Sequence, residues 1–503
     1  MSSSVQTGTI RSEIPARLDR LPWCRWHWMI VIGLGTVWIL DGLEVTIVGN
    51  VAGRIAEPGS GLDISATQIS GLAASLYVAG ACLGALFFGW LTDRLGRKKL
   101  FLISLAVYLV ATALTALSFD SWWFFACRFL TGFGIGGEYA AINSAIDELI
   151  PSRVRGRVDL VINGSFWVGA FFGSFLSVFF LDESIFAADV GWRLTFALGA
   201  VLAVVILLVR RHVPESPRWL MIHGREEEAE EIVADAERQA REQTGRELPE
   251  PDTSITIRQR HSIGFGTIAK TVFKLYPKRT TLGLSLFIGQ AFLYNAITFG
   301  YATILITFFD VPSGHTGYYF AAIAVGNFVG PLLLGPLFDS VGRKVMISGT
   351  YIISGVLLLV TALLFQQEAL NATTMTLCWC VVLFFASTGA SSAYLTVSEI
   401  FPMETRAMAI AFFYAVGTAV GGITGPQVFS RLTETGEVND VALAFVIGAV
   451  LMIAAGVVAA FLAVRAERQS LENIAKPLTA EDAEKTSESG RRRPSGGPRP
   501  ATA

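Results

Sequence analysis

Charge is scarce in this chain. Of 503 residues only 16% are Asp, Glu, Lys or Arg, against 52% hydrophobic, whereas soluble domains carry about 25% charged residues. An ordinary soluble protein is excluded. Histidine is scarcer still. The five, His27, His212, His223, His261 and His315, lie at or outside the edges of apolar segments. They form no His/Glu metal pair, and no nucleophile elbow occurs, so no metal site, cofactor or enzyme activity is expected. The absence of a GxxxxGK[ST] loop argues against ATP hydrolysis within the chain. Five cysteines (Cys24, Cys82, Cys127, Cys378 and Cys380) lie in or beside apolar segments, and are expected as buried free thiols. A net charge of −2 carries no signal for nucleic acid, and no such partner is expected.

What the chain has instead is long apolar runs. A membrane-spanning helix needs about 20 apolar residues. Twelve candidates lie near 28–50, 68–91, 99–118, 121–147, 157–181 and 192–210, then 280–309, 316–338, 344–365, 374–399, 407–431 and 441–464. The polar start, 1–27, carries Arg11, Arg17, Arg20 and Arg25 and reads as a segment before an uncleaved first span. This divides the chain into a first bundle (28–210), a polar loop (211–278) whose stretch 225–243 favours a soluble helix, a second bundle (279–465) and a tail, 466–503, expected to be disordered. The short loops sort by charge. RLGRKK, PSRVRGR, SVGRK and METR fall on one side, and EPGSGLDISATQ, SFDS and TETGEVND on the other. Basic loops stay inside. Both termini and the central loop are therefore expected in the cytoplasm, with the protein in the cell membrane as a monomer in contact with lipid.

Two loop sentences are written twice. GWLTDRLGRKK (Gly89–Lys99) returns as GPLFDSVGRKV (Gly335–Val345), and DELIPSRVRG, with Glu148 and Arg155, returns as SEIFPMETRA, with Glu399 and Arg406, each pair roughly 250 residues apart. Two unrelated motifs repeating at nearly one offset mean a duplicated membrane half, the architecture of transporters. Gly89 and Gly96 suit close approach and a sharp turn. Asp93 among Arg94, Arg97, Lys98 and Lys99, repeated as Asp339 with Arg343, suits ion pairs that close the cytoplasmic side and open when the halves rock. The second copy has fewer cations and is expected to carry less of that gate.

Charges inside spans are costly and usually functional. Asp41 and Glu44 share a face of the first span; Arg128 and Glu138 lie in the fourth. At 1.5 Å per residue from the inner edge, Asp41 sits roughly 20 Å in, Glu44 roughly 24 Å, Arg128 roughly 30 Å and Glu138 roughly 15 Å. Arg128 is thus within reach of Glu44, and Glu138 is expected alone near the midplane. An acid that alternates between an Arg partner and a dry surround is a proton coupler; the alternative is a static ion pair.

GWLTDRLGRKK matches the loop signature of the major facilitator superfamily, and the chain resembles its sugar-and-metabolite branch through PESPRWL (Pro214–Leu220) and SEIFP (Ser398–Pro402). The resemblance implies an all-α membrane fold of twelve helices in two pseudo-symmetric six-helix bundles, alternating access, often driven by protons. It also implies gate roles for Glu148, Arg155, Glu215, Arg218, Glu399 and Arg406. In sugar porters a first-helix acid pairs with an Arg that begins the fourth helix, and Glu44 and Arg128 fall there. GIGGEY, with Glu138, and the added acid Asp41 are similar to organic-anion and phosphate carriers. The sugar positions are partly kept: Gln290 and Asn295 remain, Tyr394 stands where Trp is usual, and the two expected fifth-helix amides are Asn163 and Ala170. FYAVGTAVGG in the eleventh span offers no amide. A site missing its hydrogen-bond partners rejects a sugar. Arg128, Trp167, Tyr394, Asn163, Gln290 and Asn295 are therefore read as the substrate site for a small organic anion, with Asp41, Glu44 and Glu138 as proton sites. A sugar or polyol carrier, and a transporter-like sensor that does not translocate, are the alternatives.

Overall fold

The structure is a computed structural model. It describes residues 9–478 except 66, 67, 183, 211, 212, 252, 259–269, 313 and 314. The first half begins with α1 (Ile14–Asp19) and runs through α2 (Arg25–Ile55), α3 (Ala74–Leu95), α4 (Arg97–Ala116) and α5 (Ser121–Leu149). Helices α6 (Arg155–Gly164) and α7 (Phe166–Phe180) form one span interrupted at Ser165, and α8 (Ala188–Arg210) completes the half. Two further helices follow, the short buried α9 (Pro217–Ile222) and the polar α10 (Glu226–Thr244). The second half comprises α11 (Pro277–Phe309), α12 (Thr316–Ser340), α13 (Arg343–Gln366), α14 (Ala372–Ile400), α15 (Arg406–Gly417), a wide π turn, α16 (Ile423–Glu434) and α17 (Val438–Leu462). A short α18 spans Leu471–Ile474.

Among the described residues eleven segments are long and apolar enough to cross a membrane. The twelfth is α5. Its 29 residues reach about 43 Å; Arg128, Glu138, Asp147 and Glu148 lower its apolarity, but it is the span expected near 121–147. Together they make the twelve-helix major facilitator fold.

Packing rests on small residues, as it must between helices that lipid solvates as well as each other. Gly80 and Gly84 on α3 face Gly132 and Gly136 on α5. A Cβ at Gly84 would fall 1.9 Å from the Phe133 carbonyl oxygen, and one at Gly136 2.0 Å from that of Ala81. Backbone thus lies directly on backbone. The duplicated loop turns at equivalent glycines: Gly96, at φ 95°, separates α3 from α4, and Gly342, at φ 114°, precedes α13.

At the end of the bundles where the basic loops lie, α10 buries Ala229, Val233, Ala236 and Ala240, one helical stripe. The N-terminal segment straps it down. Strand β1 (Thr9–Ser12) pairs antiparallel with β2 (Ile255–Arg258). Arg17 bridges Glu237 at 3.0 Å and Glu230 at 2.5 Å, and Arg20 reaches Glu237 at 2.5 Å. Disorder expected from residue 466 does not hold for 466–478. Leu471 and Ile474 are buried and Glu472 pairs with Arg218 at 3.1 Å, partners that a compositional reading cannot foresee; 479–503 lie outside the described residues. All five cysteines are free, Cys378 and Cys380 only half-buried.

The glycine crossing gives a direct test. Gly136→Leu must push two backbones apart, and overpacking costs about 1–3 kcal/mol or more. Its thermal unfolding midpoint in detergent should fall well below wild type, whereas Gly436→Ala, with nothing within 4 Å of its Cβ but φ +70°, should lose far less.

Candidate transport cavity and cytoplasmic gate

The deepest charges meet as depth suggested. Arg128 Nη1 donates to Glu44 Oε1 at 2.5 Å, with both side chains no more than 1% exposed. The guanidinium is flanked by the rings of Tyr77 and Phe196, 5.0 and 5.6 Å from Cζ to centroid, which shield it from water as cation–π partners. Asp41, one turn from Glu44, is fully buried and neither carboxyl oxygen has a hydrogen-bond partner. Glu138 is also fully buried but is not alone, contrary to expectation: it shares an electrostatic neighbourhood with Tyr77 and Tyr108. Distance from the membrane edge could not reveal neighbours supplied by α3 and α4.

Between the halves lies a cavity of about 170 Å³. Asn163, Trp167, Gln290, Asn295 and Tyr394, five of the residues read as substrate-binding, line it together. Arg128 does not; Tyr77, which lines the wall, stands beside it. Aromatic faces dominate. Trp38 stacks on Tyr139 with centroids 4.8 Å apart, Trp167 leans on Tyr294 at 5.5 Å, and Tyr394 meets Phe287 edge-on at 4.9 Å. Asn163 Nδ2 donates to Asn143 Oδ1 at 3.1 Å, and the Tyr294 hydroxyl to Asn327 Oδ1 at 2.9 Å. None of the lining residues is charged. Trp38, Tyr77, Tyr139 and Tyr414 were missed by the sequence reading. Trp38 and Tyr139 could have been found, since they lie beside Asp41 and Glu138.

Below the cavity, buried ion pairs join the halves. Glu148 accepts from Arg97 at 2.9 Å and, across the interface, from Arg406 at 3.5 Å. In the mirror position Glu399 is held by Arg343 at 3.0 Å, and Arg155 crosses to it at 3.7 Å. Asp339 pairs with Arg343 at 3.0 Å and caps α6 of the other half, accepting from the Gly156 and Arg157 amides at 3.1 and 2.9 Å. Its contacts exceed what the cation count of its loop suggested. Glu215 caps α4 through the Arg97 and Lys98 amides at 2.9 and 3.1 Å. Gly89 admits α15 from the opposite half, a Cβ there falling 2.5 Å from Ala411 Cβ. Arg94 lies over Trp90 at 4.2 Å, outside this network; the Asp93 side chain lies outside the described residues.

Four acids of the gate went unread in the sequence. Asp19 reaches Arg155 at 3.6 Å and Arg218 at 3.8 Å, and Glu472 holds Arg218. Asp147 and Asp159 are fully buried, and Asp159 has no hydrogen-bond partner among the described residues. Asp147 adjoins Glu148 and Asp159 follows Arg155 by one turn, so those two were findable by helical spacing. Asp19 and Glu472 arrive from the termini and were not. On the far side of the cavity the Tyr301 hydroxyl donates to Asn50 Oδ1 across the halves at 2.9 Å.

The profile of the family described as "Sugar (and other) transporter" matches residues 24–477. The chain belongs to this family. It is a multi-pass membrane transporter of small molecules and not an enzyme. It is 26% identical over 468 residues to the "Niacin transporter NiaP" of Acinetobacter baylyi, covering 92% of this chain and 99% of that protein. To "Myo-inositol transporter 2" of Schizosaccharomyces pombe it is 26% identical over 441 residues, covering 82% and 75%. Its fold is that of the proton:xylose symporter XylE, with TM-score 0.72 at 19% identity over 90% of this chain and 98% of that one.

In a family transporter built this way, removing Arg128 alone strands a buried carboxylate, which costs about 3–5 kcal/mol. Arg128→Met should therefore lower the unfolding midpoint sharply. Arg128→Met/Glu44→Met should recover most of that stability and still fail to transport. Transport by the double variant at the wild-type rate would reduce the pair to a structural strut.

Proposed function

We propose that the protein couples proton entry to uptake of a small aromatic carboxylate by alternating access of two six-helix halves, 28–210 and 279–465, across the cell membrane. The observation that carries this reading is a cavity walled by Trp38, Tyr77, Tyr139, Trp167, Tyr294 and Tyr394 and holding no charged side chain. Aromatic walls suit a flat ring. The amides of Gln290 and Asn295 and the hydroxyls of Tyr77, Tyr139 and Tyr394 offer donors for a carboxylate, and hydrogen bonds to an ionised acceptor are the stronger kind. With no cation in the cavity, an anion crosses cheaply only if its charge is cancelled, and a symported proton does that. The relative named as a niacin transporter fits a pyridine carboxylate.

The proton's seat in this reading is the acid cluster behind Tyr77. Arg128 holds Glu44, so it serves as counter-charge to the coupling site in place of direct substrate anchor. Asp41, buried without hydrogen bonds beside an engaged Glu44, takes the proton, since a buried carboxylate without a partner is costly; Glu138 is the second carrier. The basic loops put the gate and both termini in the cytoplasm, and the protein works as a monomer. A sugar or polyol remains the second reading, favoured by the Gln290 and Asn295 amides in the cavity and by relatives named for myo-inositol and xylose.

The test is radiolabelled uptake into vesicles with an imposed inside-alkaline gradient, using nicotinate, nicotinamide, xylose and myo-inositol. Nicotinate should accumulate and nicotinamide, its neutral isostere, should not. Asp41→Asn should abolish accumulation and keep counterflow exchange, because exchange only needs the loaded site to reorient. Accumulation of the polyol or pentose without nicotinate would replace this reading with the second.

A further inference from the structure

A second cavity, of about 510 Å³, opens where three cytoplasmic pieces converge. Arg20 and Trp23 come from the N-terminal strap, Arg153 from the loop between α5 and α6, and Arg246, Glu247 and Leu248 from the chain just after α10. The turn is made by Gly245, at φ 64°, which ends α10 and brings Arg246 round to face Arg153. Three guanidinium groups thus share one cavity with one carboxylate, and that carboxylate points away. Glu247 is 94% exposed and leans on Arg241 at 3.7 Å.

Of the three cations, Arg20 is engaged by Glu237 at 2.5 Å and donates to the Pro249 carbonyl, leaving its buried Nε without a partner. Arg153 donates only to the Leu21 carbonyl, at 2.5 Å, and meets no carboxylate within ion-pair distance among the described residues. Burial first and Arg157 second hold its guanidinium below the ordinary value, with Asp19 acting the other way. Arg246 is exposed. An arrangement that faces uncompensated guanidinia toward each other is repulsive, and a bidentate oxyanion relieves it. Trp23 stacks on His27 at 4.9 Å and meets Trp28 edge-on at 5.6 Å, and Trp28 is 54% exposed at the start of the first span. Aromatic residues of this kind mark the membrane–water interface, so the cavity lies at headgroup level.

We propose that this cavity binds a phosphate group at the cytoplasmic membrane surface, either the headgroup of an anionic lipid or a free phosphate. Arg153 and Arg246 grip the oxygens and Arg20 completes the cradle. The site stands next to the gate: the Ser152 amide donates to Asp19 at 3.2 Å, and Asp19 contacts Arg155 and Arg218. Occupancy therefore fastens strap, loop and α10 in the arrangement that accompanies a closed cytoplasmic side.

Purified full-length protein in neutral detergent tests this without any transport substrate. One arm measures radiolabelled inorganic phosphate by filter binding; the other counts retained short-chain phosphatidylglycerol by native mass spectrometry. Wild type should bind at least one probe, and Arg153→Gln/Arg246→Gln should bind it at least tenfold more weakly. Arg246→Gln alone, at an exposed position, should also weaken binding and guards against a misfolded double variant. Arg238→Gln, 66% exposed on α10, should bind as wild type does. Lipid retention without phosphate binding assigns the site to a headgroup, and phosphate binding assigns it to the free ion. Neither probe bound by wild type, or equal binding by wild type and the Arg153 and Arg246 variants, would overturn the proposal.

Discussion

A charge buried away from water must be paired or neutralised, because leaving it alone costs several kcal/mol. For Glu148 and Glu399 that constraint is met by pairing across the two halves. Glu148 and Glu399 each take one arginine from their own half and one from the other. The same bonds that make these buried charges tolerable therefore also hold the halves together at the end where the basic loops lie. Asp339, capping α6 of the opposite half, adds backbone to the lock. In the proposed mechanism, opening this face means breaking these contacts together and letting water replace them.

The cavity obeys the opposite logic. Its wall is aromatic and amide, without a charged side chain, while the Glu44–Arg128 pair and Asp41 are set one residue behind it, past Tyr77. In the proposed mechanism substrate and coupled proton are read by different groups that share a neighbour. Tyr77 lines the cavity and covers Arg128, so a change in the acid cluster has a direct contact to the cavity wall. In the proposed mechanism that contact links proton binding to substrate binding, and the charge network below links both to the gate.

Most of the architecture was legible in the sequence, because the features that specify it are local or repeated. Apolar length marked the spans, and the doubled GWLTDRLGRKK and GPLFDSVGRKV sentences marked the halves. Simple helical rise brought Glu44 to Arg128. It failed for Glu138, whose neighbours come from other helices. The five polar and aromatic lining residues converge on one cavity, but Trp38, Tyr77, Tyr139 and Tyr414 escaped notice because aromatic residues in a span look alike whether they face lipid, core or cavity. Asp19 and Glu472 escaped for another reason. They reach Arg155 and Arg218 from the chain's two ends, and nothing in a polar terminus announces which buried arginine it will serve.

The central claim is that the interhalf ion pairs hold the cytoplasmic side closed. Paired spin labels at Leu95, on the cytoplasmic end of α3, and Val345, in the first turn of α13, are both solvent-accessible, 40% and 61% exposed, and report the distance between the halves directly. Without substrate in nanodiscs, wild type should give a narrow, short distance distribution. Glu148→Gln/Glu399→Gln removes both negative charges while conserving shape, and should shift the distribution to longer distances by several ångströms. An unchanged distribution in that variant would contradict the account and leave the ion pairs as supports within each half.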